Sequence, residues 1–316
     1  MANAAPCQWR ITIKMNVVNP SQFVPVPPSP PLMRDSRVVN AMSVDVEEHF
    51  QVHALSSVVS REDWDSRPSR VEYSTHRVLD LFAKADVKAT FFTLGWVAQQ
   101  HHGLVKRIVA EGHELGSHGY EHVRVHTQTR EQFDADVRRT KSILEDISGV
   151  PVNGYRAATF SISRDNLWAL EVLAEAGHTY SSSINPIRHD LYGMPEAPRF
   201  PFRPEQNASL VEIPISTVRF GKRNIPCGGG GFFRLLPYTW SSWAISRVND
   251  TDLQPSIFYF HPWEIDADQP RESGLSIKSR LRHYANLGRM ENRLSKVLNE
   301  FEWDRMDRVF ASAISV

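Results

Sequence analysis

Cysteine is almost absent from this chain. Only Cys7 and Cys227 occur among its 316 residues. Two cysteines make neither a disulfide framework nor a cysteine-based zinc site. The sequence therefore excludes the small disulfide-rich class, and it indicates a protein that folds without an oxidising compartment.

Net charge of either sign is also lacking. Lysine plus arginine number 36, aspartate plus glutamate number 36, and the formal net charge is zero. Proteins that bind nucleic acid usually carry an excess or a cluster of basic residues. The balance of charges therefore predicts no nucleic-acid partner.

Long apolar runs are missing as well. No run approaches the roughly 20 apolar residues that a transmembrane helix needs. Near the N-terminus, the stretch Val17-Val18-Asn19-Pro20 is too short and too polar for the core of a signal peptide. We therefore expect no transmembrane segment, no export signal and a cytoplasmic location.

The first 36 residues differ in composition from the rest, because they are rich in proline. Their prolines include Pro20, Pro25, Pro27, Pro28, Pro30 and Pro31. Proline removes a backbone donor and breaks helices and central strands. Residues 1–36 are therefore predicted to be a disordered or extended leader, or a stretch that is not translated at all if translation starts at Met33.

From residue 37 onward, strands and helices alternate. Apolar runs predict strands at 38–46, 88–94, 113–117, 152–156, 179–184, 210–213 and 257–261. Helical periodicity predicts helices at 74–86, 104–110, 129–147, 165–176, 238–248 and 275–300. This alternation is typical of parallel βαβ units, so we expect an α/β fold. The region after 184 is expected to wrap on the same sheet or barrel, because no flexible linker precedes it.

A cluster of carboxylates ends the first predicted strand. Asp45, Glu47 and Glu48 follow an apolar run, with Val46 between the first two. Alternate residues of a strand share a face, so Asp45 and Glu47 should point to one side while Val46 points into the core. Glu47 and Glu48 as solvated loop residues is the competing interpretation.

Two histidines four residues apart, His118 and His122, follow another predicted strand. On a helix, this spacing places both rings on one face, where they can bind one ion. A surface or structural role is the alternative. Two histidines and one carboxylate leave coordination positions open, which is typical of a catalytic metal site.

Arg156 and His261 also terminate predicted strands. Taken singly, Arg156 would be a surface salt bridge and His261 a half-buried structural residue. However, Asp45, His118, Arg156 and His261 end four separate predicted strands. In a parallel barrel those strand ends form one rim, where active sites lie.

Four motifs in chain order carry a resemblance to a known family. They are Ser-Val-Asp-Val-Glu (43–47), Ser-His-Gly-Tyr-Glu-His (117–122), Gly-Tyr-Arg-Ala-Ala-Thr-Phe-Ser (154–161) and Phe-Tyr-Phe-His-Pro-Trp-Glu (258–264). Together they resemble the motifs of NodB-like polysaccharide deacetylases, carbohydrate esterase family four. The stretch 228–238 and the segment His261–Asp266 resemble more narrowly the exosortase-associated branch, which is linked to exopolysaccharide production.

The resemblance implies a distorted (β/α) barrel over residues 37–316, with 185–316 as a C-terminal elaboration that supplies His261. It implies a divalent metal, usually zinc, and hydrolysis of the N-acetyl group of N-acetylhexosamine units in a polysaccharide or oligosaccharide. Carried over by motif, Asp45 is the catalytic base and His118 and His122 are metal ligands. Arg156 orients the base and His261 is the catalytic acid.

Two positions depart from the family pattern. Many members have an aspartate ligand where this chain has Val46, and by strand alternation Glu47 can replace it. The family also often has an aspartate where this chain has Ser181, so any support from that acid is expected to be missing.

Three residues are expected to contact substrate: Thr159 through its backbone N–H, Trp263 as a sugar-stacking surface, and Tyr155. Phe232 and Phe233 are either a further stacking surface or core. The run Gly228–Gly231 lacks the Gly-Lys-Ser/Thr of a phosphate loop and is expected to be mobile or closely packed.

Two other functions remain open at this stage: a metal amidase acting on a small non-sugar amide, and a catalytically silent carbohydrate-binding homologue. Val46 and Ser181 favour the silent homologue, whereas Asp45, the histidine pair and His261 favour an enzyme. The sequence does not determine the sugar, the native metal or the oligomeric state.

Overall fold

The computed structural model describes residues 23–205 and 209–315 of the chain. Its strands are β1 Phe23–Pro25, β2 Met33–Arg34, β3 Arg37–Val46, β4 Thr90–Thr93, β5 Glu114–Ser117, β6 Gly154–Tyr155, β7 Tyr180–Ser181, β8 Phe202–Pro204, β9 Val211–Glu212, β10 Thr217–Phe220, β11 Arg223–Pro226, β12 Ile257–Phe260 and β13 Glu302–Asp304. Its α-helices are α1 Val71–Lys84, α2 Gly95–Gln100, α3 His102–Ala110, α4 Arg130–Ser148, α5 Trp168–Glu175, α6 Gly230–Leu235, α7 Tyr238–Thr251, α8 Ile277–Tyr284, α9 Leu287–Glu300, α10 Met306–Val309 and α11 Ala311–Ile314.

One large sheet organises the molecule. Its strand order is β1-β8-β9-β7-β6-β5-β4-β3-β12, and β2 and β13 also pair with β3. The pairs from β9 to β12 along this order are parallel, and helices provide the crossovers between successive strands from β3 to β7. The sheet curls into a half-barrel. The predicted fold class, α/β with a distorted barrel-like sheet, is confirmed.

Strand β3 shows why the sheet has two different faces. Met42, Val44 and Val46 lie in a core cluster with residues of α1 and α9, whereas Val39 and Ala41 belong to the cluster inside the curl. This is the two-residue period of a strand. The same period directs the odd-numbered residues farther along β3 into the curl, where the polar site lies.

The C-terminal region completes the same sheet. Strand β12 pairs in parallel with β3 from Ile257 opposite Ala41 to Phe260 opposite Val44. Strand β13 pairs with the first half of β3. Through these two strands the region after 184 packs on this sheet.

The predicted leader needs a correction where the structure describes it. Phe23–Pro25 pair antiparallel with Phe202–Pro204, and the Phe23 side chain is buried against Phe202. Residues 23–25 and 33–34 are therefore paired strands and not disordered, whereas Asp35 and Ser36 form a turn with positive φ. Pro25 is tolerated because β1 is an edge strand, where a missing N–H costs no ladder bond. Residues 1–22 lie outside the described part.

Sequence patterns failed mainly at short elements. Helix α2, which begins at Gly95 soon after β4, was not predicted. The predicted helix 275–300 is two helices, α8 and α9, separated around Asn286. Asn286 has φ +59, a conformation that interrupts an α-helix. The hairpin of β10 and β11, together with α6, was not predicted, because short Gly- and Pro-rich segments carry no periodic signal.

No helix among residues 23–205 and 209–315 is long and apolar enough to cross a lipid bilayer.

Several histidines lie deep inside the protein. The ring of His178, just after α5, is 3% exposed and packs near Tyr155. Burial lowers the pKa of His178 to about 3 from an ordinary 6.5. The folded protein therefore holds this imidazole neutral at pH values where the unfolded chain would protonate it.

The buried His178 predicts a specific loss of stability in acid. Between pH 6.5 and about 3 the unfolded state binds a proton that the folded state excludes, so this contribution is present above pH 6.5 and is lost as the pH falls. Replacing His178 with Phe removes the contribution. Between pH 7 and pH 5 the variant should lose about 2 kcal/mol less unfolding free energy than the wild type. Urea denaturation at both pH values measures the difference, and the exposed His102→Phe is the control. An equal pH dependence for wild type and His178→Phe would contradict the interpretation.

Candidate active site

Side chains at the acidic end of β3 point to opposite faces of the sheet, as the two-residue period of a strand predicts. Val46 is fully buried in the apolar core, whereas Asp45 and Glu47 line a cavity inside the curl. Asp45 is 2% exposed and Glu47 is 1% exposed. A carboxylate this deeply buried needs a partner, so the surroundings of each acid determine its chemistry.

Glu48 points away from the cavity and binds the beginning of helix α1. Its carboxylate accepts the backbone N–H of Arg70 through both oxygens at 3.0 Å, the N–H of Val71 at 3.2 Å, and the hydroxyl of Ser69. The first N–H groups of a helix have no partner within the helix and favour negative charge. Glu48 is thus a structural capping residue. The interpretation of Glu47 and Glu48 as solvated loop residues is wrong.

Glu47, His118 and His122 form a cluster that could hold a metal ion. One ligand atom from each lies within 4.8 Å of the others. Glu47 Oε2 is 3.0 Å from His122 Nε2 and 4.0 Å from His118 Nε2. The strand argument that selected Glu47 as the third ligand therefore agrees with the geometry.

The two histidines converge for a reason other than the one that the spacing suggested. The segment is a loop in which Gly119 has φ +75 and His122 has φ +56. The carbonyls of Gly119 and Tyr120 accept the N–H groups of Gly95 and Trp96 at the start of α2. The loop is thus tied to α2, and it brings the two rings to a centroid distance of 5.2 Å.

The chemistry of these three side chains fits a divalent cation. Nδ1 of His118 donates to the backbone oxygen of Arg156 at 2.8 Å, so Nε2 keeps its lone pair. Burial lowers the pKa of His118, and it lowers that of His122 to about 4, so both rings are neutral, as ligands must be. Glu47 Oε2 is buried and has no hydrogen-bond partner among the described residues. A cation would satisfy that oxygen.

Asp45 is paired with a fully buried arginine. Arg156 Nη1 donates to Asp45 Oδ1 at 2.7 Å and to Ser43 Oγ at 2.9 Å. The guanidinium is held by the backbone oxygen of Ser182 and lies over the ring of Phe92. Burial alone would raise the pKa of Asp45, but the charge and hydrogen bond of Arg156, together with the nearby His118 and His261, outweigh burial and hold the pKa below its usual value. Asp45 is therefore an ionised, oriented proton acceptor.

His261 faces both acids from the end of β12. Its Nε2 is 3.9 Å from Asp45 Oδ2 and 3.5 Å from Glu47 Oε1, and its Nδ1 is 2.8 Å from Glu264 Oε1. Burial alone would lower the pKa of His261, but the carboxylates of Glu47 and Glu264 raise it to about 9. At neutral pH this ring is a cation and can donate a proton.

The cavity has a volume of about 350 Å³ and opens above these groups. Its other lining residues include Thr159, His189, Tyr192, Phe232 and Trp263. Thr159 has φ +55, an uncommon conformation for a β-branched residue and therefore a strained one. This turn places the Thr159 backbone at the cavity wall. Phe233, in contrast, is core, because it packs edge-on against Phe258.

Two substrate-contact predictions need correction. Tyr155 is 2% exposed and packs against Phe133, on the helix side of the sheet. Arg156 next to it points inward, so the strand period that directs Arg156 to the site directs Tyr155 away from it. Trp263 does line the cavity, but its ring stacks on both His261 and His283 and it is 5% exposed. Its face is therefore used within the protein, and its indole N–H donates to Glu47 at 3.3 Å.

Ser181 stands where the family often has an aspartate, and the site was expected to lack the support of that acid. The Ser181 hydroxyl bonds to Ser183, and the buried Glu212 lies opposite Ser181 on the neighbouring strand. Glu212 accepts the backbone N–H groups of Ser183 and Ile184, and so shapes the end of β7. A carboxylate partner for His261 is nevertheless present, in Glu264. Sequence analysis missed this contact. The available signal was a glutamate three residues after the strand-end histidine.

Comparison with protein-family models divides the chain in two. The polysaccharide deacetylase model matches residues 63–181, and a domain of unknown function, DUF3473, matches residues 182–311. Residues 63–181 are a polysaccharide deacetylase domain. The polysaccharide deacetylase domain contains His118, His122 and Arg156, whereas His261 comes from the second match.

Curated relatives share short segments with this chain. A peptidoglycan-N-acetylglucosamine deacetylase of Bacillus cereus is 34% identical over 98 residues, 31% of this chain and 36% of that protein. The peptidoglycan-N-acetylglucosamine deacetylase PgdA of Listeria monocytogenes is 39% identical over 75 residues, 24% of this chain and 16% of that protein. A chitooligosaccharide deacetylase of Rhizobium leguminosarum is 30% identical over 149 residues, 47% of this chain and 62% of that protein. The chain thus spans about a third or less of the first two relatives.

Solved structures share the fold over most of the chain. A Mycobacterium smegmatis structure described as a polysaccharide deacetylase has a TM-score of 0.58 at 17% identity, covering 92% of this chain and 95% of that one. Puue allantoinase has a TM-score of 0.53 at 16% identity, covering 85% and 87%. At these identities the likeness concerns the fold alone. The shared half-barrel explains why distant motifs meet at one rim.

The division between the two neighbouring glutamates can be tested directly. Glu47→Ala should weaken zinc binding by more than about 100-fold, since changes behind the ligands alone cost about 10–100-fold. Glu48→Ala should bind zinc like the wild type but lose about 1–3 kcal/mol of unfolding free energy, because the first N–H groups of α1 lose their acceptor. Competition with a chromogenic chelator measures the first effect and urea denaturation the second. Zinc loss in Glu48→Ala with zinc retained in Glu47→Ala would overturn the assignment.

Proposed function

We propose that this protein hydrolyses the N-acetyl group of N-acetylhexosamine units in a polysaccharide or oligosaccharide, with a divalent metal, Zn²⁺, held by Glu47, His118 and His122. The supporting observation is that this cluster shares one cavity with the Asp45–Arg156 pair and with His261. The named activities of the B. cereus and R. leguminosarum relatives support the substrate class.

The proposed reaction needs a nucleophile, a place for negative charge and a proton for the leaving group. A divalent cation at the cluster would supply Lewis acidity, which polarises an acyl carbonyl and lowers the pKa of water. Asp45, held ionised by Arg156, accepts the proton of the attacking water. The neutral-pH reaction requires an acceptor and a donor with separated pKa values, and the opposite shifts of Asp45 and His261 meet that requirement.

His261 and Thr159 complete the proposed step. His261 Nε2 donates a proton to the amide nitrogen as the acyl C–N bond breaks and its electron pair moves to nitrogen. Without that proton the departing amine would be a very poor leaving group. The backbone N–H of Thr159 stabilises the negative charge that develops on the acyl oxygen. The products are acetate and a free amino sugar.

The resemblance of residues 228–238 to the exosortase-associated branch supports a role in exopolysaccharide biosynthesis. We place the proposed reaction there, on a polymer or oligomer that is made for export.

The activity is tested with a substrate panel. Purified protein loaded with zinc should release acetate from N-acetylglucosamine oligomers and not from simple amides such as acetamide, and a chelator should abolish the release. Acetate is measured with a coupled enzymatic assay. Release from simple amides alone would favour a small-molecule amidase. Failure to bind zinc in stoichiometric amount, together with binding of the oligomers, would favour the silent homologue.

The role of His261 is tested by its removal. His261→Ala should lower the rate of acetate release by roughly 10²–10⁴-fold, the usual contribution of a positioned proton donor. Zinc content should stay at the wild-type level, because His261 is not one of the three ligands. The surface variant His102→Ala is the control. If His261→Ala loses zinc in parallel with activity, His261 is a ligand and the assignment is wrong.

A further inference from the structure

Glu264 is a buried carboxylate whose contacts concentrate on one histidine. It is 0% exposed and lies within the short turn Pro262–Ile265 after β12. Its Oε1 accepts the backbone N–H of His261 at 3.1 Å and lies 2.8 Å from Nδ1 of the same ring. Burial alone would raise the pKa of Glu264, but Arg234 and His261 lower it to about 2, so the group is an anion that can only accept. Nδ1 therefore carries a hydrogen, and Nε2 is the nitrogen directed at Asp45 and Glu47.

The other oxygen of Glu264 is held by Arg234, which is 2% exposed. The guanidinium of Arg234 also donates to backbone oxygens at the end of α8: those of His283 at 2.9 Å, Ala285 at 2.7 Å and Arg282 at 2.7 Å. The last carbonyls of a helix have no partner within the helix and favour a cation. Arg234 is thus fixed between a carboxylate and a helix end, and it leaves Glu264 no freedom to turn away from His261.

The glycine run explains how Arg234 reaches this position. Gly229 has φ +103, and a Cβ there would lie 2.1 Å from the backbone oxygen of Tyr259. Gly230 has φ +57, and a Cβ there would lie 2.6 Å from the Tyr259 hydroxyl oxygen. The Tyr259 N–H in turn donates to Gly228 at 2.7 Å. Of the two expectations for this run, mobile or closely packed, close packing is correct. This close packing holds α6, which carries Arg234, against the strand that ends at His261.

We propose that Glu264 is the positioning residue of the proton donor: it holds His261 with Nδ1–H toward itself and Nε2–H toward the leaving nitrogen, and Arg234 keeps it there. This inference rests on the proposed N-deacetylation. When the acyl C–N bond breaks, the nitrogen takes the Nε2 proton together with the bond's electron pair. His261 is left neutral with its hydrogen on Nδ1, still bonded to Glu264. His261, Glu264 and Arg234 all belong to residues 182–311, so this arrangement assigns a purpose to the segment that matches a domain of unknown function.

The inference is tested by comparing two leaving groups. An N-acetyl amide needs a proton on its departing nitrogen, whereas the phenolate of 4-nitrophenyl acetate departs without one. Glu264→Gln should lower kcat on N-acetylglucosamine oligomers by roughly 10²-fold or more, with KM little changed. Its zinc-dependent hydrolysis of 4-nitrophenyl acetate should change by less than about threefold. Arg234→Met should show the same selective loss to a smaller extent.

A matched control is Arg293→Met. Arg293 also anchors this segment, through the backbone oxygens of Phe233, Arg234 and Leu236, but it has no contact with Glu264. Its ratio of amide to ester activity should equal that of the wild type. Equal losses on both substrates in Glu264→Gln and Arg234→Met, with zinc content retained, would overturn the inference. An unchanged ratio in Arg234→Met would do so even if Glu264→Gln does not fold.

A measurement without activity separates this inference from the proposed function. In zinc-free wild-type protein, NMR should show a slowly exchanging His261 Nδ1–H signal, assigned by its absence in His261→Ala. The signal should be lost in Glu264→Gln and retained in Arg293→Met. If no such signal exists in the wild type, the positioning role is wrong. If the signal behaves as expected but the wild type releases no acetate from any N-acetylated sugar, the proposed function fails and the orienting contact stands.

Discussion

Removing carboxylates from water is the constraint around which this protein is built. Asp45, Glu47 and Glu48 are buried at the end of one strand, where an unpaired charge would cost several kcal/mol. Each has different surroundings: a guanidinium for Asp45, the first turn of a helix for Glu48, and for Glu47 a cluster with two histidines that could hold a cation. The partners come from distant parts of the chain. Folding must therefore bring these parts together before the acids can be buried.

The register of the paired strands brings these distant parts of the chain together, and it allows few other arrangements. Phe260 lies opposite Val44, so the next residues along each strand, His261 and Asp45, are neighbours. Ser117 lies opposite Tyr155, so His118 reaches the backbone of Arg156. A slip by one residue would turn every side chain to the other face of the sheet. The fully buried residues on the helix side of β3 make such a slip costly, so the hydrophobic core determines the geometry of the polar site.

The region beyond residue 181 is part of the site as much as part of the fold. It supplies a strand beside β3, the histidine that faces Asp45, and the buried pair of Glu264 and Arg234 behind that histidine. It also supplies more than half of the residues that line the cavity, including Tyr192 and Phe232. Neither of the two family matches contains all the residues that converge in the cavity. Asp45 and Glu47 lie before both matches, which is a further reason to treat the chain from β3 onward as one unit.

The sequence determined the features that depend on period and order. Alternation along β3 was enough to send Asp45 and Glu47 to one face and Val46 to the core, and apolar runs were enough to predict parallel βαβ units. Sequence alone therefore predicted that the strand-end residues share one rim. Motif resemblance added the identity of the deacetylase domain, which the family comparison confirms for residues 63–181.

Only the tertiary structure decided which groups face each other. The pair His118 and His122 was predicted from a helical spacing that does not exist, and a loop tied to α2 brings them together instead. Tyr155 was predicted to contact substrate, yet it points to the helices. Glu48 was ambiguous until the start of α1 was placed against it, and Glu264 and Arg234 had no visible connection across 30 residues of sequence. Periodicity reports the direction of a side chain within its own element, whereas its partner depends on how separate elements pack.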